Sequence, residues 1–358
     1  MANTFFKSFA EADRTSSRTL LHEAIPITGT IVSGTYDGNN VRSFTHGMFK
    51  SVYDYPYLSS SANHLFDVTW GYVSSSEIDS QIEGQNLLTS GDDSTVSNQG
   101  SKKKNMYSQM AQILVGFDTE GKVRPFDFDG NHAGGAKIGS AIFINFSRLL
   151  VKDEIKKGSF AMTFGKADSY TNPFGTTVTL SDTAAVNDYH VNSPAGEYGI
   201  LVENGTTNQR GLIFYQAGIA VIPASSDVTG DESTAQWTSS TVNGKKLGIL
   251  TTGSMDQFAD GLVNRIKNIE FNNTTELNST IYFCRANHNE FNYSSNPTYL
   301  SGSKITVKAD NIMTPPRSYV TTVGLYSADN ELLAVAKLSE PLRKDPTSEL
   351  TLRVRLDY

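Results

Sequence analysis

The sequence predicts a mainly β (α+β) protein: an antiparallel, β-sandwich-like core with a few packed helices and an extended N-terminal arm. Three observations carry this. In Leu350 to Tyr358, Leu350, Leu352, Val354, Leu356 and Tyr358 alternate with Thr351, Arg353, Arg355 and Asp357, the period of two that a half-buried strand requires. Residues 319–326 and 331–338 flank the polar segment Ser327-Ala328-Asp329-Asn330, which reads as a hairpin with a four-residue loop. Most of the remaining apolar runs are short, and only two long segments show a clear helical stripe.

Taken in order, residues 1–25 form the arm. Phe5, Phe6 and Phe9 cluster there, ahead of a polar stretch and Leu20-Leu21. Three phenylalanines so close together need a surface, either this subunit's own core or a neighbour's. A β-rich domain with helices is expected over 26–223, a loop or linker over 224–250, and a C-terminal α+β domain over 251–358. The chain turns extended at Ile25, with Pro26 suited to an edge or strand start. Leu58, Ala62, Leu65 and Phe66 fall at helical spacing. Thr89 to Gly100 reads as a polar loop. A helix is expected over Asn105 to Phe117, with Met106, Met110, Ile113, Leu114 and Phe117 on one face. Another is expected over Ser254 to Ile269, with Ser254 and Gln257 as a capping box and Phe258, Leu262, Ile266 and Ile269 as its stripe. A shorter one from Leu149 to Lys157 ends at Gly158. Strands are expected at 141–146, 159–164, 176–180, 198–203, 211–222, 280–286 and 303–308.

Composition bounds the function. The 358 residues are 38% hydrophobic and 19% charged, with 19 Phe and 16 Tyr, which fits an ordered chain able to bury a core. A net charge of −7 argues against a nucleic-acid partner, which calls for a basic patch or stripe. The run Lys102-Lys103-Lys104 reads as a solvated loop. One cysteine, Cys284, rules out an internal disulfide and, in Ile281-Tyr282-Phe283-Cys284, reads as a small core residue. No stretch approaches the roughly 20 apolar residues of a membrane span, and no signal peptide is expected.

No catalytic residue, cofactor site or metal site is assigned. The sequence lacks Gly-x-Ser-x-Gly, a phosphate loop and His-Glu-x-x-His, and its six histidines show no ligand spacing. Asp127-Phe128-Asp129-Gly130-Asn131 offers paired carboxylates but lacks the later glutamate of a calcium loop, so it reads as a turn. The aromatic segment Tyr53-Asp54-Tyr55-Pro56-Tyr57 suits packing around a proline turn, a protein interface or a sugar platform. Phe291 to Tyr299 reads as a structured loop or interface.

The run "SYVTTVGLYSADNELLAVAKLSEPLRKD", followed by "LTLRVRLDY", resembles the C-terminal block of virion structural proteins of contractile-tailed phages, marine and cyanobacterial myophages especially. The "VGLYSADNELLAVAK" pattern alone is similar to tail-fibre domains that dock on the baseplate. Further segments, among them "AIFINFSRLLVKDEIKKGSF" and "FCRANHNEFNYSSNPTY", extend the resemblance over most of the chain. It implies a non-enzymatic subunit of a tail, baseplate or fibre attachment, assembled in a host cytoplasm, with other virion proteins and copies of itself as partners. A receptor- or glycan-binding virion protein and a head or collar decoration protein are the alternatives. Phe5, Phe6 and Phe9, Tyr53, Tyr55 and Tyr57, and Arg353 and Arg355 are the candidate interface residues.

Overall fold

A computed structural model describes residues 6–26, 39–73, 98–224, 228, 255–294, 296–301, 304–305 and 316–358. The chain divides into two units. The larger spans Leu21–Thr275, and the smaller joins Met1–Leu20 to Glu276–Tyr358. The expected boundary at 224–250 therefore moves: α3 and the first half of the β14 strand, both defined below, belong to the larger unit.

The strands in chain order begin with β1 (Arg14–Pro26), β2 (Val41–Ser43), β3 (Lys50–Tyr53) and β4 (His64–Tyr72). Helix α1 (Asn98–Leu114) precedes β5 (Phe126–Asp127), β6 (Lys137–Ile138) and β7 (Ser140–Phe146). A single turn, α2 (Arg148–Val151), leads to β8 (Glu154–Ile155), β9 (Ala161–Gly165) and β10 (Thr177–Ser181). Then come β11 (Tyr198–Glu203), β12 (Gln209–Phe214), β13 (Ile219–Pro223), α3 (Met255–Val263) and β14 (Ile266–Ala286). The short β15 (Leu300–Ser301) and β16 (Lys304–Ile305) precede β17 (Ser318–Tyr326), β18 (Leu332–Lys344) and β19 (Leu350–Asp357).

The larger unit is built on an antiparallel sheet in the order β1-β14-β9-β10-β11-β12-β13-β7-β4-β3-β2, with β8 paired to β14, and β5 and β6 form a separate two-stranded sheet. Five strands separate β7 from β14 along that order. Yet the Phe146 ring of β7 lies 5.3 Å from Phe271 of β14 and 5.7 Å from Phe160. The sheet thus folds over onto itself, which is the sandwich-like core the sequence predicts. Because successive side chains of a strand face opposite ways, β7 serves two cores. Ile142, Ile144 and Phe146 join the inner one with Phe258 and Leu262 of α3, while Ala141 and Phe143 join the other with Tyr107, Ala111 and Leu114 of α1. Burial on both faces explains why this strand reads as a continuous apolar run.

Gly71 sets the seating of α1. A methyl at that position would lie 2.6 Å from the Lys103 carbonyl oxygen and 2.6 Å from the Tyr107 nitrogen. Bare backbone on β4 is therefore what admits the helix. Tyr107 then donates to the Ile138 carbonyl at 2.7 Å and accepts from the Phe126 amide at 3.1 Å.

Several expectations are corrected. The residues 58–66 are not helical: Leu58 is 87% exposed and His64 begins β4, because Phe66, Val68 and Trp70 supply a strand face. Helix α1 starts at Asn98 and ends at Leu114, so part of the expected 89–100 loop is helical. Its buried stripe runs through Lys103, Tyr107, Ala111 and Leu114; of the residues expected on it, Met106 and Leu114 are buried and Met110 packs against the core, while Ile113 and Phe117 are exposed. The lysine run is thus helical rather than a solvated loop. Lys103 is fully buried over the Trp70 ring at 4.9 Å, Lys104 lies over Tyr72, and Lys102 donates to the His46 carbonyl. The helix expected over 149–157 shrinks to α2, with Glu154–Ile155 drawn into pairing with β14. The run 211–222 is two strands, split by a turn where Gly218 has φ +67°. The helix expected to reach Ile269 stops at Val263, and Ile266 to Ala286 form one 21-residue strand. The arm is largely strand, since β1 begins at Arg14. Ser254 and Gln257 as a cap, most of the 224–250 linker, Phe5, and part of 303–308 lie outside what is described.

Candidate interaction surface

In the smaller unit the order is β1-β14-β19, with β17 and β18 as a separate two-stranded sheet. Strand β19 pairs with β14 from Ser279↔Asp357 to Ala286↔Leu350. Its alternation is as the sequence predicts from Leu350 to Asp357: Val354 is buried and Leu350, Leu352 and Leu356 are half-buried, while Thr351, Arg353, Arg355 and Asp357 are exposed. Tyr358, expected on the apolar face, lies past the strand end and is 74% exposed. Arg355 is engaged within its own unit, at 2.7 Å from Asp357 Oδ1 and 3.0 Å from Ser279 Oγ. Arg353, opposite Phe283, has no ion-pair partner among the described residues.

The arm folds along its own chain. Phe6 meets Tyr326 edge-on at 5.0 Å, and Phe9 packs against Tyr282 at 5.4 Å. Lys7 pairs with Glu290 at 2.6 Å, and Asp13 with Arg285 at 2.9 Å. Of the two surfaces the sequence left open for the arm, Phe6 and Phe9 use this subunit's own. They remain 47% and 40% exposed, so half of each ring is still available.

The hairpin of β17 and β18 is anchored at its base and bare at its tip. At the base, Ser318 Oγ donates to the Phe291 carbonyl, and the fully buried Lys344 donates to Asn292 Oδ1 at 2.8 Å and to the His288 carbonyl at 3.2 Å. Desolvation holds the Lys344 ammonium below its ordinary pKa, against the pull of Asp345, Glu349 and Glu290. Among the described residues of 291–299, Tyr299 is buried and Tyr293 exposed. Pairing is then interrupted: Val320↔Leu342 is followed by Thr322↔Lys337, leaving Leu338 to Pro341 outside the ladder. Proline lacks the donor a ladder needs. Beyond it, Leu325 is buried, whereas Tyr326, Leu332, Leu333 and Val335 are 45–67% exposed. The connection is Ser327 to Glu331, one residue longer than expected, closed by a bond from the Ser327 amide to the Glu331 carbonyl. Asn330 adopts φ +63° there, a conformation asparagine tolerates.

Tyr53 and Tyr57 are half-buried and pack on one another. Tyr53 ends β3 and its ring meets Tyr57 at 6.0 Å and His64 at 5.5 Å. The Tyr53 and Tyr57 amides donate to the Asn40 and Asn39 carbonyls. Tyr55 is 54% exposed and has no ring contact among the described residues. Internal packing around the proline turn accounts for Tyr53 and Tyr57.

The loop after β5 is a turn. Asp129 accepts from the Asn131 amide and side chain, Asn131 accepts from the Ala133 amide, and Asp127 Oδ2 holds Lys137 Nζ at 2.6 Å. The Asp127–Lys137 pair is almost wholly buried. Beside it, Asp127 Oδ1 and both His132 ring nitrogens are buried without a hydrogen bond. The Asn192 carbonyl is close enough to favour a charged His132 but not in bonding geometry, and burial, with Arg124 and Lys137 nearby, holds that imidazole below its usual pKa. Among the described residues no group of three or more His, Cys, Asp or Glu side chains is disposed to hold a metal. Nor is any described helix long and apolar enough to cross a membrane.

The sequence reading missed the hairpin's bare tip, although a signal was present: β17 and the first half of β18 carry apolar residues at both parities. It also missed Lys344, for which nothing in a Leu-Arg-Lys-Asp context announces burial. No protein-family model, no curated protein and no solved structure matches this chain.

Proposed function

We propose that the chain is a non-enzymatic structural subunit of a tailed-phage virion, at the tail, baseplate or fibre attachment, acting through subunit–subunit docking. The resemblance of 318–345 and 350–358 supports the class of particle. The observation that carries the docking role is the smaller unit's surface, where Phe6, Tyr326, Leu332, Leu333 and Val335 stay 45–67% exposed on a hairpin and arm. A two-stranded hairpin is marginal in water without further packing, and clustered exposed apolar side chains mark interaction sites. The glycan-binding alternative draws less support, because Tyr53 and Tyr57 pack internally.

The test is compositional. Phage particles encoding this chain, purified through two density gradients, are expected to contain it at a fixed, integer-ratio copy number by quantitative mass spectrometry, and to show it in tail density by antibody labelling. Absence from purified particles refutes the reading. Labelling confined to heads refutes the tail placement.

A further inference from the structure

Strand β17 is distinguished from every other long strand edge of the smaller unit by carrying no charge. Proteins guard exposed edges with charged residues, proline or bulges, because unpaired amides and carbonyls template pairing with another chain. Strand β1 carries Arg14 and Arg18 on this unit. The outer edge of β19 carries Arg353, Arg355 and Asp357, and β18 carries Lys337, Pro341, Arg343 and the ladder interruption. Strand β17 reads Ser-Tyr-Val-Thr-Thr-Val-Gly-Leu-Tyr over Ser318–Tyr326, with no charge and no proline. It pairs with β18 along one side only among the described strands. Tyr319, Thr321, Thr322 and Tyr326 are exposed.

Charge also selects the partner. An isologous pairing sets each strand against its own reverse. On β19, such a pairing about Val354 places Arg353 opposite the partner's Arg355, and like charges directly opposite destabilise. On β17, pairing about Thr321 or Thr322 sets neutral residues against neutral residues in either register. A threonine then faces a threonine at the centre, a favourable cross-strand pair.

Resting on the docking role above, we infer that the edge of β17 that pairs with no described strand is a homotypic docking site, which joins two copies of this chain by antiparallel strand addition about Thr321 or Thr322.

The test is a charge swap on the full-length chain. Thr321 stands outside the register with β18; a charge there directly faces its own copy with the two-fold at Thr321 and lies diagonal to it, within reach of a long side chain, with the two-fold at Thr322. Wild type, Thr321→Lys and Thr321→Glu are compared by sedimentation equilibrium from about 1 to 100 µM, with circular dichroism and thermal melts verifying the fold. The wild type is expected to dimerise. Each variant is expected to dimerise up to about fivefold more weakly, since a like-charge pair across the axis costs up to about 1 kcal/mol. An equimolar mixture of the two variants is expected to recover wild-type association. A wild type that stays monomeric, or forms trimers, overturns the inference, and so do variants that dimerise as the wild type does or a mixture that shows no recovery. Because the readout needs no particle, such a failure leaves the virion reading to its own compositional test.

Discussion

Gly71→Ala is the sharpest probe of how the larger unit is built. The added methyl would sit 2.6 Å from the Lys103 oxygen and the Tyr107 nitrogen, and relief means moving helix backbone rather than rotating a side chain. Reaching an ordinary contact of 3.4 Å requires α1 to retreat by about 0.8 Å. A gap of that size forfeits roughly a quarter to a half of the dispersion energy of each contact it opens, and Tyr107, Ala111 and Leu114 all sit on the retreating face. Overpacking costs about 1–3 kcal/mol and sometimes more, so a loss of about 3 kcal/mol is expected, a fall in melting temperature of roughly 6–12 °C for a unit of this size. Urea denaturation followed by tryptophan emission measures it, in a Trp237→Phe background that leaves the buried Trp70 as sole reporter. Gly121→Ala is the control: it has open space and φ +78°, so it incurs only backbone strain of about 1 kcal/mol. If Gly71→Ala costs no more than Gly121→Ala, the close seating of α1 on β4 is wrong.

Three further perturbations test particular groups. Lys137→Met leaves Asp127 buried and unpaired, which is expected to cost about 3–5 kcal/mol; an Asp127→Asn, Lys137→Met double variant is expected to recover part of it in the same urea assay. His132 has a folded-state pKa below its unfolded value near 6.5. Unfolded chains therefore bind a proton that the fold refuses, and stability is expected to fall as pH drops below about 6.5 and to level off below the folded pKa. Titrating urea midpoints from pH 7.5 to 5 measures this, and His132→Gln should flatten the slope. Lys344→Ala removes the donors to the Asn292 side chain and the His288 carbonyl, so limited proteolysis with mass spectrometry is expected to cut within 287–294 several-fold faster, and an unchanged rate contradicts the anchoring role.

What the sequence made legible follows from which interactions are local. Alternation in β19, the hairpin between β17 and β18 and the Asp129–Asn131 turn are set by residues within a few positions of one another; each is found, the hairpin connection one residue longer than expected. Predictions that depended on a distant partner went astray. The stripe of α1 is rotated because Gly71, some thirty residues earlier, decides which face of the helix seats; Met110 and Ile113 could not announce that. Ile266 and Ile269 have helical spacing but join a strand, because β9 is there to pair with them. The burial of Lys103 needs the Trp70 ring, which sequence proximity does not supply.

The same distinction bears on function. The buried charges described in the larger unit are held by the scaffold, with Asp127 Oδ1 left without a hydrogen bond. Lys50 meets Asp260 at 2.6 Å, and Lys137 meets Asp127. Asp182 accepts from the Gly158 and Phe160 amides and from Tyr215, although burial still raises its pKa. Arg265 donates to the Gly165 and Ala167 carbonyls, and its pKa is pushed down to about 10 by burial. A charge held in this way has little scope to take up or release a proton in step with a substrate. In the smaller unit, apolar rings and leucines of the arm and hairpin stand in water beside one uncharged strand edge. On the docking role proposed above, the residues to perturb first are those of β17.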